Sequence, residues 1–154
     1  MNPKNIKPMD LFTDEYFMAE ALKQARISME MGEIPVGAVI VSNNRVIGKG
    51  HNLTEQLTDI TAHAEIQAIT AASGYLGSKY LWDCTLYVSL EPCIMCAGAL
   101  FWSQISKVVF GAHDPKAGFK KLNQTILHPK TQLIGGIMEA ESQKLLKEFF
   151  VTKR

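Results

Sequence analysis

The chain of 154 residues contains no apolar run of about 18 residues, so nothing in it is expected to span a membrane. Cysteine is scarce, with three residues, Cys84, Cys93 and Cys96. Three thiols exclude a disulfide framework, and a reducing, cytoplasmic setting is the expectation. Residues 1–10 are polar, with two prolines, and lack the apolar core of a signal peptide. Residues 1–12 are therefore expected to be a disordered N-terminus and residues 13–154 a single domain. Internal repeats, linkers and low-complexity tracts are absent as well. A strong net charge is also missing, since the total is +1, but the charge is unevenly spread. Residues 1–106 hold seven Lys/Arg against eleven Asp/Glu, and residues 107–154 hold nine against four. The basic last third admits an anionic partner, although a solvated lysine surface needs no partner at all.

What is present centres on two short segments, Thr61-Ala62-His63-Ala64-Glu65 and Glu91-Pro92-Cys93-Ile94-Met95-Cys96. Imidazole nitrogen and thiolate sulfur are preferred zinc ligands, so His63, Cys93 and Cys96 can fill three corners of a tetrahedron. A catalytic site leaves the fourth corner to water, whose pKa zinc can bring from about 15.7 to roughly 7. Glu65 is then free to act as general acid and base, moving a proton to a leaving group. H-x-E with P-C-x-x-C is the known signature of zinc-dependent nucleobase deaminases. A lone C-x-x-C could be a redox pair, and a lone H-x-E says little. Pro92 suits the first turn of a helix, which makes Cys93 and Cys96 neighbours on one face. His63 and Glu65 share a site only near a helix start, with Thr61 or Asp59 as its cap. Two helix N-termini facing one metal are expected.

The remaining pattern predicts an α/β protein. Met18, Ala21, Leu22, Ala25 and Met29 recur at helical spacing after the cap Thr13, and Gly32 ends that helix. Residues 38–41 and 45–47 form a β-hairpin through Ser42-Asn43-Asn44. The His63 helix runs to Ser73-Gly74. Residues 85–89 form a buried strand that delivers the cysteine helix, in which Gly98 implies close packing. Residues 107–111 form a further strand. A long loop follows over 112–129, with a short helix around 121–127. A last strand spans 132–137, weakened by Gly135-Gly136, and a C-terminal helix carries Met138, Leu145, Leu146 and Phe149 on one face. Strands feeding helices in the order ββαβαβ place helices on both faces of a sheet, with the active residues at strand-to-helix turns.

The sequence resembles the bacterial tRNA-specific adenosine deaminases of the cytidine deaminase-like superfamily. The matching stretches are Gly32-Glu33-Ile34-Pro35-Val36-Gly37-Ala38-Val39, Asn43-Asn44-Arg45-Val46-Ile47-Gly48, residues 61–66, Thr85-Leu86-Tyr87-Val88, residues 90–98 and Val108-Val109-Phe110-Gly111-Ala112. The likeness runs from about residue 14 to the end. It implies a three-layer α/β/α fold with a central mixed sheet of about five strands flanked by helices. It implies one Zn²⁺ per subunit on His63, Cys93 and Cys96, with Glu65 as proton shuttle. It also implies that Asn52 contacts the base and that Val36 and Asp114 line the nucleotide site. The implied reaction is hydrolytic deamination of adenosine to inosine at the wobble position of a tRNA anticodon, by a homodimer. Asp59-Ile60-Thr61 and His51 depart from the family pattern.

Two other readings compete. The same zinc chemistry serves deaminases of free bases or nucleosides such as guanine or cytosine. A non-catalytic zinc module is the third, but it has no need of a carboxylate such as Glu65 beside the metal. Among the other residues, Cys84 is expected to be a buried small hydrophobe. Tyr80, Trp82 and Trp102 are expected in the core or a dimer interface.

Overall fold

The computed structural model describes residues 11–122 and 124–153. Of the expected disordered segment 1–12, residues 1–10 lie outside the described residues.

Helix α1 (Asp14–Glu30) starts where Thr13 places its hydroxyl to accept the Tyr16 N–H at 3.1 Å, with Asp14 and Glu15 in the first turn. Its buried stripe is Phe17, Met18, Ala21, Leu22, Ala25 and Ser28, and Gly32 follows in the left-handed region at φ +79°. Strands β1 (Gly37–Ser42) and β2 (Arg45–His51) form the expected hairpin. Asn43 and Asn44 both take positive φ, as a two-residue turn between twisted strands requires. Then come α2 (Ala64–Leu76), β3 (Thr85–Leu90), α3 (Ile94–Ser103), β4 (Lys107–Ala112), β5 (Gln132–Ile134) and α4 (Glu139–Thr152).

The sheet order is β2-β1-β3-β4-β5. β1 is antiparallel to both its neighbours, whereas β3, β4 and β5 run parallel. Alternation along the strands sends side chains to two cores. Ala38, Ile40, Leu86, Val88, Val108 and Phe110 pack with Ala64, Ala68 and Ala72 of α2 and Ala97 and Leu100 of α3. Val39, Val41, Tyr87 and Val109 pack on the other face against Phe17, Met18 and Ala21 of α1. The expected mixed five-stranded sheet between helical layers is what forms. β2 lies so close to α2 that a Cβ on Gly50 would strike the Ala64 carbonyl, which fixes the height of α2 above the sheet.

Several local expectations are corrected. α2 continues through Gly74 and ends at Gly77, the residue that takes the left-handed conformation. The helix expected around 121–127 is a single 3₁₀ turn, Phe119–Leu122. β5 stops at Ile134, because Gly135 lies against the Phe110 ring with no room for a side chain. Gly98 marks no close packing within the chain, since a Cβ there would meet nothing within 4 Å. Of the two places expected for Trp82 and Trp102, the core is excluded by their 60% and 76% exposure, which leaves the interface. Cys84 is buried as expected.

One polar cluster ties α1 to the sheet. The Tyr87 hydroxyl donates to Asp14 Oδ1 at 2.8 Å, and the Lys107 ammonium donates to the same oxygen at 3.1 Å. Burial, aided by Asp14, pushes the Tyr87 phenol well above its ordinary range. The unfolded chain loses this proton near pH 10 while the folded protein keeps it, so folded stability falls as pH rises past 10. Tyr87→Phe is expected to cost about 1 kcal/mol near neutral pH. Urea midpoints measured at pH 7, 9 and 11 should show the wild type losing more stability than the variant across the alkaline interval.

Candidate metal and catalytic site

The functional groups collect where the carboxyl end of β3 meets the amino ends of α2 and α3. Leu90 ends β3, Cys93 is the N-cap of α3, and Cys96 stands in its first turn. His63 is the N-cap of α2, so Glu65 follows as its second residue. Cys93 and His63 both have extended backbone, and neither side chain makes a capping hydrogen bond. Two expectations shift by a few residues. Pro92 precedes the N-cap rather than opening the helix, and neither Thr61 nor Asp59 caps α2. Asp59 instead accepts the Thr61 N–H at 2.8 Å and the Thr61 hydroxyl at 2.7 Å, which sets the turn before His63.

His63 Nδ1 lies 3.7 Å from Cys93 Sγ and 3.6 Å from Cys96 Sγ, and the three ligand atoms fall within 4.8 Å of one another. Zn–S near 2.3 Å and Zn–N near 2.0–2.1 Å at tetrahedral angles put N and S about 3.6 Å apart. Donor types and spacing therefore fit zinc. Among the described residues this is the one cluster of its kind, and His51, His113 and His128 are not part of it. The Cys93 thiol is pulled down to about 4, first by the hydrogen bond it receives from Cys96. The Cys96 thiol is pushed far up by that same bond and by burial. Zinc takes thiolate, so the raised Cys96 thiol must give up its proton on metal binding, and metal affinity is linked to pH.

Glu65 is 3% exposed and lies beside the cluster. Burial is the largest influence on it and raises its pKa, opposed by its own backbone hydrogen bond and by His63. A carboxyl raised toward neutrality suits proton transfer in both directions.

A cavity of about 200 Å³ opens onto His63, Glu65 and Cys93, with Cys96 buried behind them, and is lined also by Ile34, Val36, Asn52, Leu90, Glu91, Asp114 and Ala117. The three residues expected to face a nucleotide, Asn52, Val36 and Asp114, are therefore on its wall. Asn52 is buried there, with its amide donating to Ile34 O at 3.3 Å and its carbonyl accepting the Thr54 N–H at 3.4 Å. Asp114 Oδ1 accepts the N–H groups of Lys116 and Ala117, both at 3.1 Å. Two acidic residues that sequence reasoning passed over also support the walls. Glu33 accepts the Gln56 N–H at 2.7 Å and the Glu55 N–H at 3.3 Å. Glu91 holds the segment that carries Asp114. Both stand in stretches that the sequence singles out, but local sequence does not show what they hold, because their partners lie more than 20 residues away.

The family model for the cytidine and deoxycytidylate deaminase zinc-binding region matches residues 12–112. The tRNA-specific adenosine deaminase of Aquifex aeolicus (strain VF5) is 47% identical over 141 residues, which cover 88% of this chain and 93% of that protein. A solved structure from a study of A-to-I editing by tRNA:A34 deaminases at the wobble position of transfer RNA superposes with TM-score 0.79 at 41% identity. It covers 85% of this chain and 99% of that one. The guanine deaminase from Bacillus subtilis is also 41% identical, with TM-score 0.63, but over 66% of this chain and 65% of that one.

Replacing Cys96 by Ala removes a fully buried ligand, and the variant is expected to bind far less than one zinc per chain by elemental analysis. Glu65→Ala should keep the full complement, since Glu65 is not needed as a ligand.

Proposed function

Because the chain belongs to the cytidine and deoxycytidylate deaminase zinc-binding family, among the tRNA-specific adenosine deaminases, we propose that it converts adenosine to inosine at the wobble position of a tRNA anticodon. The observation that carries the reading is the cavity itself, which brings the three-ligand cluster, a buried free carboxylate and the Asn52, Val36 and Asp114 wall together. At about 200 Å³ it is small by the standard of ligand pockets, a size for one base rather than a large cofactor.

His63, Cys93 and Cys96 would hold the metal. Bound zinc supplies a water acidified to near neutral pH. Glu65 would relay the two protons of the attacking water, one to N1 of the adenine and one to the amino group, which would leave as ammonia as oxygen replaces it at C6, so that water and adenosine become inosine and ammonia. Asn52, tied at both ends of its amide, presents a rigid polar edge to the base. Val36 and Leu90 supply apolar walls that exclude bulk water. A base inside a structured RNA must leave its stack to reach such a pocket, and an anticodon loop presents its bases unstacked at low cost. Lys116, Lys120 and Lys121 follow Asp114 on the exposed side of the same segment, where they face a phosphate backbone.

The chain is proposed to act as a homodimer in the cytoplasm. No helix among the described residues is long and apolar enough to cross a membrane, and all three thiols are free. Ile94, Gly98 and Trp102 lie four residues apart along the outer face of α3. Ile94 is 58% exposed, and the space beside Gly98 is empty. That apolar stripe starts next to Cys93, so a second copy seated on it would border the cavity.

The guanine deaminase likeness supports a second reading, a deaminase of free bases, though it spans only two thirds of each chain. The deciding experiment offers the zinc-loaded protein an anticodon stem-loop beside free guanine, cytosine and adenosine. Inosine is expected in the RNA and no ammonia from the free bases, with Glu65→Ala lowering turnover by at least about 10²-fold. Ammonia from guanine with unaltered RNA would reverse the assignment. Trp102→Glu is expected to shift the sedimentation coefficient from dimer to monomer, and an unchanged value would remove this face from the interface.

A further inference from the structure

Glu91 is 5% exposed, and among the described residues it belongs to none of the ion pairs. A buried carboxylate without a cation is costly unless hydrogen bonds replace its water. Here they come from main chain alone. Oε1 accepts the Asp114 N–H at 3.2 Å and Oε2 accepts the Lys120 N–H at 3.1 Å. The two oxygens therefore grip both ends of one loop. The Gly118 backbone passes directly over the same carboxylate, where a Cβ would collide with it. Further bonds bind this loop to the metal-binding turn. The Glu91 N–H donates to Ala112 O at 2.8 Å, and the Phe119 N–H donates to Pro92 O at 2.9 Å. Cys93 and Gly118 form an isolated β-bridge.

The loop in turn carries two residues of the cavity wall, Asp114 and Ala117. Asp114 Oδ1 and the Asp114 carbonyl are both spent inside the loop, on Lys116, Ala117 and Gly118. Among the described residues Asp114 Oδ2 makes no hydrogen bond, so where it points is set by the loop as a rigid unit.

We infer that Glu91 is a positioning residue for deamination: its buried carboxylate clamps residues 114–120 onto the metal-binding turn and so sets where Asp114 and Ala117 stand against the nucleotide. The inference rests on reading the cavity as a nucleotide site. Glu91 also lines the cavity beside Leu90, but both of its carboxylate oxygens are engaged by the loop's main chain and it is not one of the clustered ligand residues. It acts through the loop, and a displacement of about 1 Å in such a wall is enough to cost roughly 10²-fold in rate.

Glu91→Gln tests this in the full-length, zinc-loaded protein. The amide keeps the shape but sets an NH₂ group against one of the two main-chain N–H donors. The expected result is one zinc per chain, an unchanged KM for the anticodon stem-loop, and kcat lower by about 10²-fold, because an aligned geometry has been lost and not RNA affinity. Hydrogen exchange should speed up over residues 113–120 and stay unchanged over α3. Gly118→Ala displaces the carboxylate from the opposite side and should give the same signature, and it carries the test if Glu91→Gln does not fold. Combined with Asp114→Ala, Glu91→Gln should add little further loss. Wild-type kcat in a folded Glu91→Gln protein would overturn the inference, as would a rate loss that follows zinc loss. If the wild type itself leaves the RNA unaltered, the substrate reading fails. Unchanged exchange over residues 113–120 would refute the clamp on its own.

Discussion

The structure depends on the convergence of two helix amino ends at one point. Helices α2 and α3 each begin with a residue, His63 and Cys93, whose backbone is in cap conformation but whose side chain caps nothing. An ordinary capping side chain contributes about 1 kcal/mol to a helix start, and both helices forgo it. Those side chains are instead held with Cys96 at N···S separations of 3.6–3.7 Å. The sheet makes this possible. β3 delivers the cysteine turn, the β1–β2 hairpin supports α2, and Gly50 lets α2 come down far enough for His63 to reach the thiols.

Three buried glutamates surround the cavity, and their different partners give them different work. Glu65 lies beside the ligands, raised by burial, and is the residue proposed to carry the proton. Glu33 and Glu91 accept main-chain N–H groups from two different loops that contribute to the cavity wall. Loops at a strand-to-helix face are the variable part of such folds, and a carboxylate accepting two backbone donors is a direct way to stiffen one. The site thus has a rigid floor of helix ends and sheet, with walls fastened by charge-assisted hydrogen bonds.

What was legible in the chain was mostly local. The hairpin at Asn43-Asn44 was legible because two adjacent residues supply both positive φ values. The start of α1 was legible because Thr13 acts on a neighbour three residues away. The misjudged features were those decided by contacts across the fold. Gly74 looked like a helix end, yet α2 continues to Gly77. Gly98 looked like a packing site, yet it faces open space. Trp82 and Trp102 read as core or dimer interface, and their exposure excludes only the core of this chain.

By itself the amino-acid sequence determined the ligand set, the free glutamate beside it and the alternation of strands and helices. Each of these is written in spacings of a few residues, which the chemistry of zinc and the periods of helix and strand constrain directly. Only the tertiary structure decided which residues serve as helix caps, how Asn52 is held, and that Glu33 and Glu91 fasten the walls. Those choices depend largely on pairs 18 to 29 residues apart, and such pairs leave no periodic trace along the chain because only folding brings them together.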